Sequence, residues 1–144
     1  MTPERFQKIK KILDKRQPDL TIIMDNVHKP HNLAAIIRSC DAIGIGHIHH
    51  ISKNHNKVGV NLKAASGSNH WVKLYTHENK KKLFTKLRNE GHTIFAANNS
   101  VNAIDFREAN YTNASTIILG AELEGVSNEA INLADQQIRI PMEG

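Results

Sequence analysis

The sequence predicts an α/β fold, a parallel six-stranded sheet with helices on both faces. Three observations predict it. Short apolar, β-branched runs alternate with stretches of helical periodicity from residue 20 onward. At 144 residues, 40% hydrophobic and 23% charged, the chain has the size and composition of one globular domain with a buried core. No internal repeat, low-complexity tract or interdomain linker interrupts the alternation.

The elements follow in order. Residues 2–16 read as an amphipathic helix: Thr2 is a cap, Pro3 takes the first helical position, and Phe6, Ile9, Ile12 and Leu13 form an apolar stripe. Its other faces carry Arg5, Lys8, Lys10, Lys11, Lys15 and Arg16, and Pro18 ends it. This helix either packs by its stripe or serves as a polyanion-contacting arm, and the two roles are compatible. Leu20–Asp25 reads as a strand. Residues 32–43 read as a helix with Asn32 at its cap, Leu33, Ile36, Ile37 and Cys40 on one face, and Gly44 beyond its end. His47–Ile51 is a strand, 53–70 a long polar loop with one helical turn at 62–66, and 71–75 a strand. Residues 79–90 form a helix with Leu83 and Leu87 inward, stopped by Gly91. Thr93–Ala97 is a strand, 98–113 mostly loop, and 116–119 a strand. Ser127 caps a helix over 127–135, and 137–140 is a last strand ended by Pro141.

Several classes of function are excluded or disfavoured. No apolar run approaches the ~18 residues that a membrane-spanning helix needs. The N-terminus has no apolar signal core, so a cytoplasmic protein is expected. A single cysteine, Cys40, allows neither an intrachain disulfide nor a Cys-x-x-Cys zinc site, and its apolar helix face marks it as a small core residue. Nine histidines include His28-x-x-His31 and His47-x-His49-His50. No nearby Asp, Glu or Cys completes a ligand set, and alternation along a strand sends His49 and His50 to opposite faces, so no metal is expected. There is no G-x-x-x-x-G-K-[ST] loop. Gly44-Ile45-Gly46 follows a helix and has His49 where a third glycine belongs, so it is not a dinucleotide fingerprint.

Charge is distributed unevenly. Residues 1–88 carry a net +11 and residues 89–144 a net −6, within a total of +5. A basic front of this kind suits a protein that meets a nucleic acid on one side, because phosphate neutralisation dominates such binding.

Two segments carry the chemistry. The first runs from Asp25 through a polar loop into a helix that holds Asn32 and, one and two-thirds turns on, Arg38. An arginine beside an apolar stripe is either a solvated flank or a clamp for phosphate or carboxylate. The second, Gly120-Ala121-Glu122-Leu123-Glu124-Gly125-Val126-Ser127, follows a strand and starts a helix. It places Glu122 at the carboxyl edge of the sheet, where α/β folds build their sites.

Together these segments resemble the SpoU, or TrmH-type, RNA ribose 2′-O-methyltransferases of the SPOUT superfamily. The first family motif pairs an asparagine with an arginine six residues later, here Asn32 and Arg38. The second is Gly-x-Glu-x-x-Gly-[Val/Leu]-Ser, here Gly120 to Ser127. The segments 16–21 and 27–32, Gly67-Ser68-Asn69 with Trp71, and Asp105-Phe106-Arg107-Glu108 are similar to family members that methylate a D-loop guanosine of tRNA. The resemblance covers essentially the whole chain. The third motif, a Ser-Leu-Asn loop and a helix that completes a trefoil knot, belongs after Met142. The chain ends at Gly144, so the knot-completing segment and the C-terminal RNA-binding tail are expected to be missing. The last strands are then expected to expose apolar surface, and cofactor binding to be poor.

The resemblance implies methyl transfer from S-adenosylmethionine to a ribose 2′-hydroxyl of tRNA, with an intact form that is a homodimer. It implies an RNA-contacting extension over residues 1–18 and a methyltransferase domain over 19–144. The implied catalytic residues are Arg38, Asn32 and Glu122. Cofactor would rest near Ala97, Leu119, Gly120, Ile140 and Met142, held by knot loops that need no Gly-x-Gly-x-x-Gly. RNA would meet Arg5, Lys8, Lys11, Lys15, Arg16 and His31. Arginine side chains hold their proton throughout the neutral range, so the family's arginine is read as an oriented cation rather than a base. A non-catalytic RNA-binding module, which keeps the basic helix 2–16 and the Lys80–Lys82 cluster but lacks a working cofactor site, is the alternative of a different class.

Overall fold

The computed structural model describes residues 1–52 and 67–143, so the helical turn expected at 62–66 lies outside the described residues. The helices are α1 (Pro3–Leu13), α2 (Pro30–Ile43), α3 (Lys80–Asn89) and α4 (Asn128–Leu133). The strands are β1 (Leu20–Asp25), β2 (His47–Ile51), β3 (Lys73–His77), β4 (Thr93–Ala97), β5 (Ile104–Asp105), β6 (Ser115–Gly120) and β7 (Gln136–Arg139). The sheet order is β3-β2-β1-β6-β4-β7-β5, with every pairing parallel.

The sheet therefore has seven described strands, not six. The added one is β5, two residues inside the stretch expected to be loop, paired as Ile104 with Ile138 and Asp105 with Arg139. Two residues are too few to show a period of two, and only the tertiary pairing defines them.

Strand β1 lies at the centre, and five of its six residues are buried. On one face α2 packs Leu33, Ala34, Ile37 and Cys40 onto Ile22, Met24 and Ile48. On the other, Leu83, Phe84 and Leu87 of α3 join Ala130 of α4 over Ile23, Ile94 and Ile118. Helices cover both faces, as expected of parallel strands, which hide apolar residues on each side. Cys40 is a core residue, and burial pushes its thiol up to about 11, away from any nucleophilic role near neutrality.

Cover on the α2 side stops short of β7. A cavity of about 530 Å³, lined by Leu20, Ile117, Leu119, Tyr111, Ile138 and Ile140, runs along β6 and β7. Beyond β7, Ile140 is 62% and Met142 77% exposed.

Several boundaries differ from expectation. Helix α1 ends at Leu13, with Asp14 as C-cap, instead of continuing to residue 16. None of its residues is buried, so the stripe of Phe6, Ile9, Ile12 and Leu13 does not pack into the core. Helix α2 begins at Pro30 with Lys29 in the cap position, so Asn32 is in the first turn and is not the cap. Proline at the start is the reason: its fixed φ is already helical, and its missing N–H costs nothing at a helix start. The strand expected at 71–75 lies at Lys73–His77, because Ser68–His70 forms a 3₁₀ turn that Trp71 closes. The last strand ends at Arg139, which leaves Ile140 beyond it.

Candidate active site

The carboxyl edge of the sheet gathers the two chemistry-bearing segments. Asp25 ends β1 in register with Gly120, which ends β6. After Gly120 the chain makes a tight reversal in which Ala121 and Gly125 exchange backbone hydrogen bonds of 3.2 and 2.8 Å. Only glycine fits at 120, because a β-carbon there would lie 2.0 Å from the Gly125 carbonyl carbon. The reversal presents Glu122 toward the first turn of α2. There Lys29 Nζ donates to Glu122 Oε2 at 2.5 Å, across 93 residues of chain. The Lys29 ammonium, and next the Asn32 amide, hold the Glu122 carboxyl below its usual range. Val27, His28, Lys29, Asn32, Glu122 and Glu124 line a small cavity of about 150 Å³.

The structure brings Asn32 and Glu122 together at one cavity. Arg38 is elsewhere on the same helix. Six residues of α-helix carry it ~9 Å along the axis and two-thirds of a turn around from Asn32. It is exposed, does not line the Asn32–Glu122 cavity, and makes no hydrogen bond or ion pair among the described residues. Ala97, Leu119 and Ile140 share the larger apolar cavity, whereas Gly120 and Met142 lie outside its lining. Arg5, Lys8, Lys11, Lys15 and His31 are exposed. Arg16 is largely committed within the protein, to Asp41 at 3.5 Å and the Ile45 carbonyl at 3.4 Å.

A buried ionic network behind the site escapes sequence reading. Lys80 Nζ lies 2.9 Å from Asp25 Oδ1, as an ion pair, and donates to Ser127 Oγ at 2.6 Å. Asp25 Oδ2 accepts from the Ser127 N–H at 2.8 Å. Ser127 caps α4, as expected, and is also the point where the Glu122 turn is tied to β1 and α3. Lys80 opens a run of three lysines in which nothing distinguishes it from its neighbours, and its burial takes it out of the Lys80–Lys82 cluster expected to contact RNA, leaving Lys81 and Lys82 exposed. On the other side of Asp25, His50 Nε2 donates to the Val27 carbonyl at 2.7 Å and fixes the loop that leads to Lys29.

Among the described residues no group of three or more His, Cys, Asp or Glu comes together to hold a metal, and no helix is long and apolar enough to cross a membrane. A parallel sheet with two motif segments converging at its carboxyl edge defines an α/β protein with a site at its strand ends. Residues 19–144 match the model of the SpoU rRNA Methylase family, and the chain belongs to that family.

Particular relatives are similar over nearly the whole chain. The tRNA (guanosine(18)-2'-O)-methyltransferase of Escherichia coli is 44% identical over 144 residues, which is all of this chain and 62% of that protein. The protein of the same name from Thermus thermophilus is 43% identical, over 99% of this chain and 73% of its own length. The solved TrmH/SpoU tRNA modifying enzyme of A. aeolicus superposes with a TM-score of 0.88 at 35% identity, over 98% of this chain and 72% of that one. The chain thus spans less than two thirds of the E. coli relative.

Proposed function

We propose that the chain is the catalytic part of an S-adenosylmethionine-dependent tRNA ribose 2′-O-methyltransferase, with the D-loop guanosine as its target. The convergence of Glu122 with Asn32 at the carboxyl edge of the sheet carries this reading. Relatives more than 40% identical that bear that activity in their names support it.

S-adenosylmethionine, when bound, supplies a methyl group already activated on sulfonium. The residues present fit its apolar parts: Ala97, Leu119 and Ile140 line a cavity of about 530 Å³, within the ordinary range for small-molecule sites. Gly120 and Met142 would flank it. Asn32 holds its amide on Glu122, and in this reading that carboxylate accepts a ribose hydroxyl or an arginine fork. Arg38, exposed and unpaired among the described residues, binds the phosphate beside the target ribose and stabilises the developing alkoxide. Lys8, Lys11 and Lys15 on α1, with Arg5 and His31, contact the tRNA backbone, which makes residues 1–18 an RNA-binding extension of the 19–144 domain. A homodimeric assembly and a cytoplasmic setting complete this reading.

The test is methyl transfer from radiolabelled S-adenosylmethionine to unmodified tRNA. Label in the ribose of the D-loop guanosine supports the methyltransferase reading. Retention of tRNA without label would instead support the RNA-binding module.

A further inference from the structure

Lys29 has no part in the two family motifs, yet it makes the shortest polar contact of the candidate site. Its ammonium neutralises Glu122 at 2.5 Å, while the two side chains remain 53% and 59% exposed. An ion pair so open to water is weak, and a competing anion displaces it easily. His31 and Arg38 are also exposed on α2, on the side away from Lys29, so Lys29 is the cation of this segment that stands beside Glu122. An ammonium on a flexible stem suits a phosphate as a point charge.

The geometry points to Lys29 as an exchangeable contact. It pairs with Glu122 in the free chain, and passes to a phosphate of the RNA backbone when substrate enters, releasing the Glu122 carboxylate into the cavity. The inference rests on the tRNA reading above and adds to it a phosphate-binding residue and a substrate-gated carboxylate.

The experiment is the salt dependence of unmodified tRNA binding to the full chain, between about 50 and 200 mM salt, for wild type, Lys29→Met, Lys29→Arg, Glu122→Gln and the Lys29→Met/Glu122→Gln double variant. Loss of one phosphate contact lowers the slope of log K against log[salt] by about 1. Lys29→Met is expected to show that loss and Lys29→Arg to restore the slope. Glu122→Gln frees Lys29 and is expected to tighten binding by roughly two- to fivefold, the size of an exposed pair. That gain should vanish in the Lys29→Met background. An unchanged slope in Lys29→Met with normal tRNA retention overturns the exchange alone, as does a Glu122→Gln gain that survives in the double variant. Failure of the wild-type chain to bind tRNA overturns both the exchange and the tRNA reading. Both residues are exposed, so the variants are expected to fold, and equal unfolding midpoints verify it.

Discussion

Lys80 Nζ sits 2.9 Å from Asp25 Oδ1 with the two side chains 7% and 0% exposed, which makes a buried ion pair the anchor of the sheet's carboxyl edge. A lysine so deep is held by its partners: Asp25, the Ser127 hydroxyl, and the Glu129 carboxylate at 3.8 Å. Removing one member leaves the other charged and desolvated. Lys80→Met is therefore expected to cost roughly 3–5 kcal/mol, and Asp25→Asn a comparable amount. In the Lys80→Met/Asp25→Asn double variant no charge is stranded, and the loss should fall well short of the sum of the single losses. Urea unfolding of the four proteins measures the coupling. A Lys80→Met loss below ~1 kcal/mol would show that the pair is not the anchor.

A second buried polar cluster sets the response to pH. His49 Nδ1 and His77 Nε2 share a hydrogen bond of 2.9 Å, and Tyr75 stacks on His49. Burial first, and then the nearby His77, Lys86, His47 and His92, lower the His49 pKa from 6.5 to about 4. The unfolded chain takes up this proton below about pH 6.5, whereas the folded chain resists until about pH 4. The unfolded state thus binds more protons inside that window, and stability from this group climbs with pH across it and is complete above it. The effect is at most on the order of 3 kcal/mol. His49→Gln should flatten the rise in urea midpoint between about pH 4.5 and 7. An equally steep rise in that variant would place the titration elsewhere.

The backbone of the Glu122 turn leads to a third expectation. Gly120 faces the Gly125 carbonyl carbon and the Val126 nitrogen, which would lie 2.0 and 2.1 Å from a new β-carbon. These are backbone atoms, and no side-chain rotation relieves the overlap. Gly120→Ala should break the Ala121–Gly125 reversal and separate Glu122 from Lys29 and Asn32. By contrast, Ala121→Ser leaves the turn geometry available. Amide exchange reads this directly: the Gly125 N–H, bonded to the Ala121 carbonyl, should lose protection in Gly120→Ala and keep it in Ala121→Ser. Retained protection in Gly120→Ala would mean that the turn tolerates a side chain there.

How much of this is legible in the sequence depends on how local each signal is. The strand at Leu20–Asp25 and the cap at Ser127 are readable because each is written in adjacent residues. So is Glu122, whose place follows from a strand end and two glycines. Asn32 passes for a cap because its chemistry suits that role, while Pro30 two residues earlier has already set the helix. Strand β5 escapes because two residues carry no period, and Ile104 and Asp105 are strand only by pairing with Ile138 and Arg139. The burial of Lys80 and the pairing of Lys29 are invisible for one reason: each partner comes from a distant segment, and lysine looks the same in solvent or in a network.

Arg38 provides the sharpest test of the proposed chemistry. It is exposed, pairs with nothing among the described residues, and shares α2 with Asn32, which touches Glu122. A cation that orients a phosphate and stabilises an alkoxide needs the planar, two-pronged guanidinium, whereas one that only attracts RNA needs charge alone. Arg38→Lys keeps the charge and loses the fork. It is expected to retain tRNA affinity within about threefold while methyl transfer falls by ~10²–10³, the usual loss when one stabilising donor is removed from a transition state. Arg38→Ala should lose both affinity and turnover. Because Arg38 supports no packing, unfolding midpoints should stay unchanged in each variant. Near-full turnover in Arg38→Lys would show that fork geometry is not used, and would reduce Arg38 to an RNA contact.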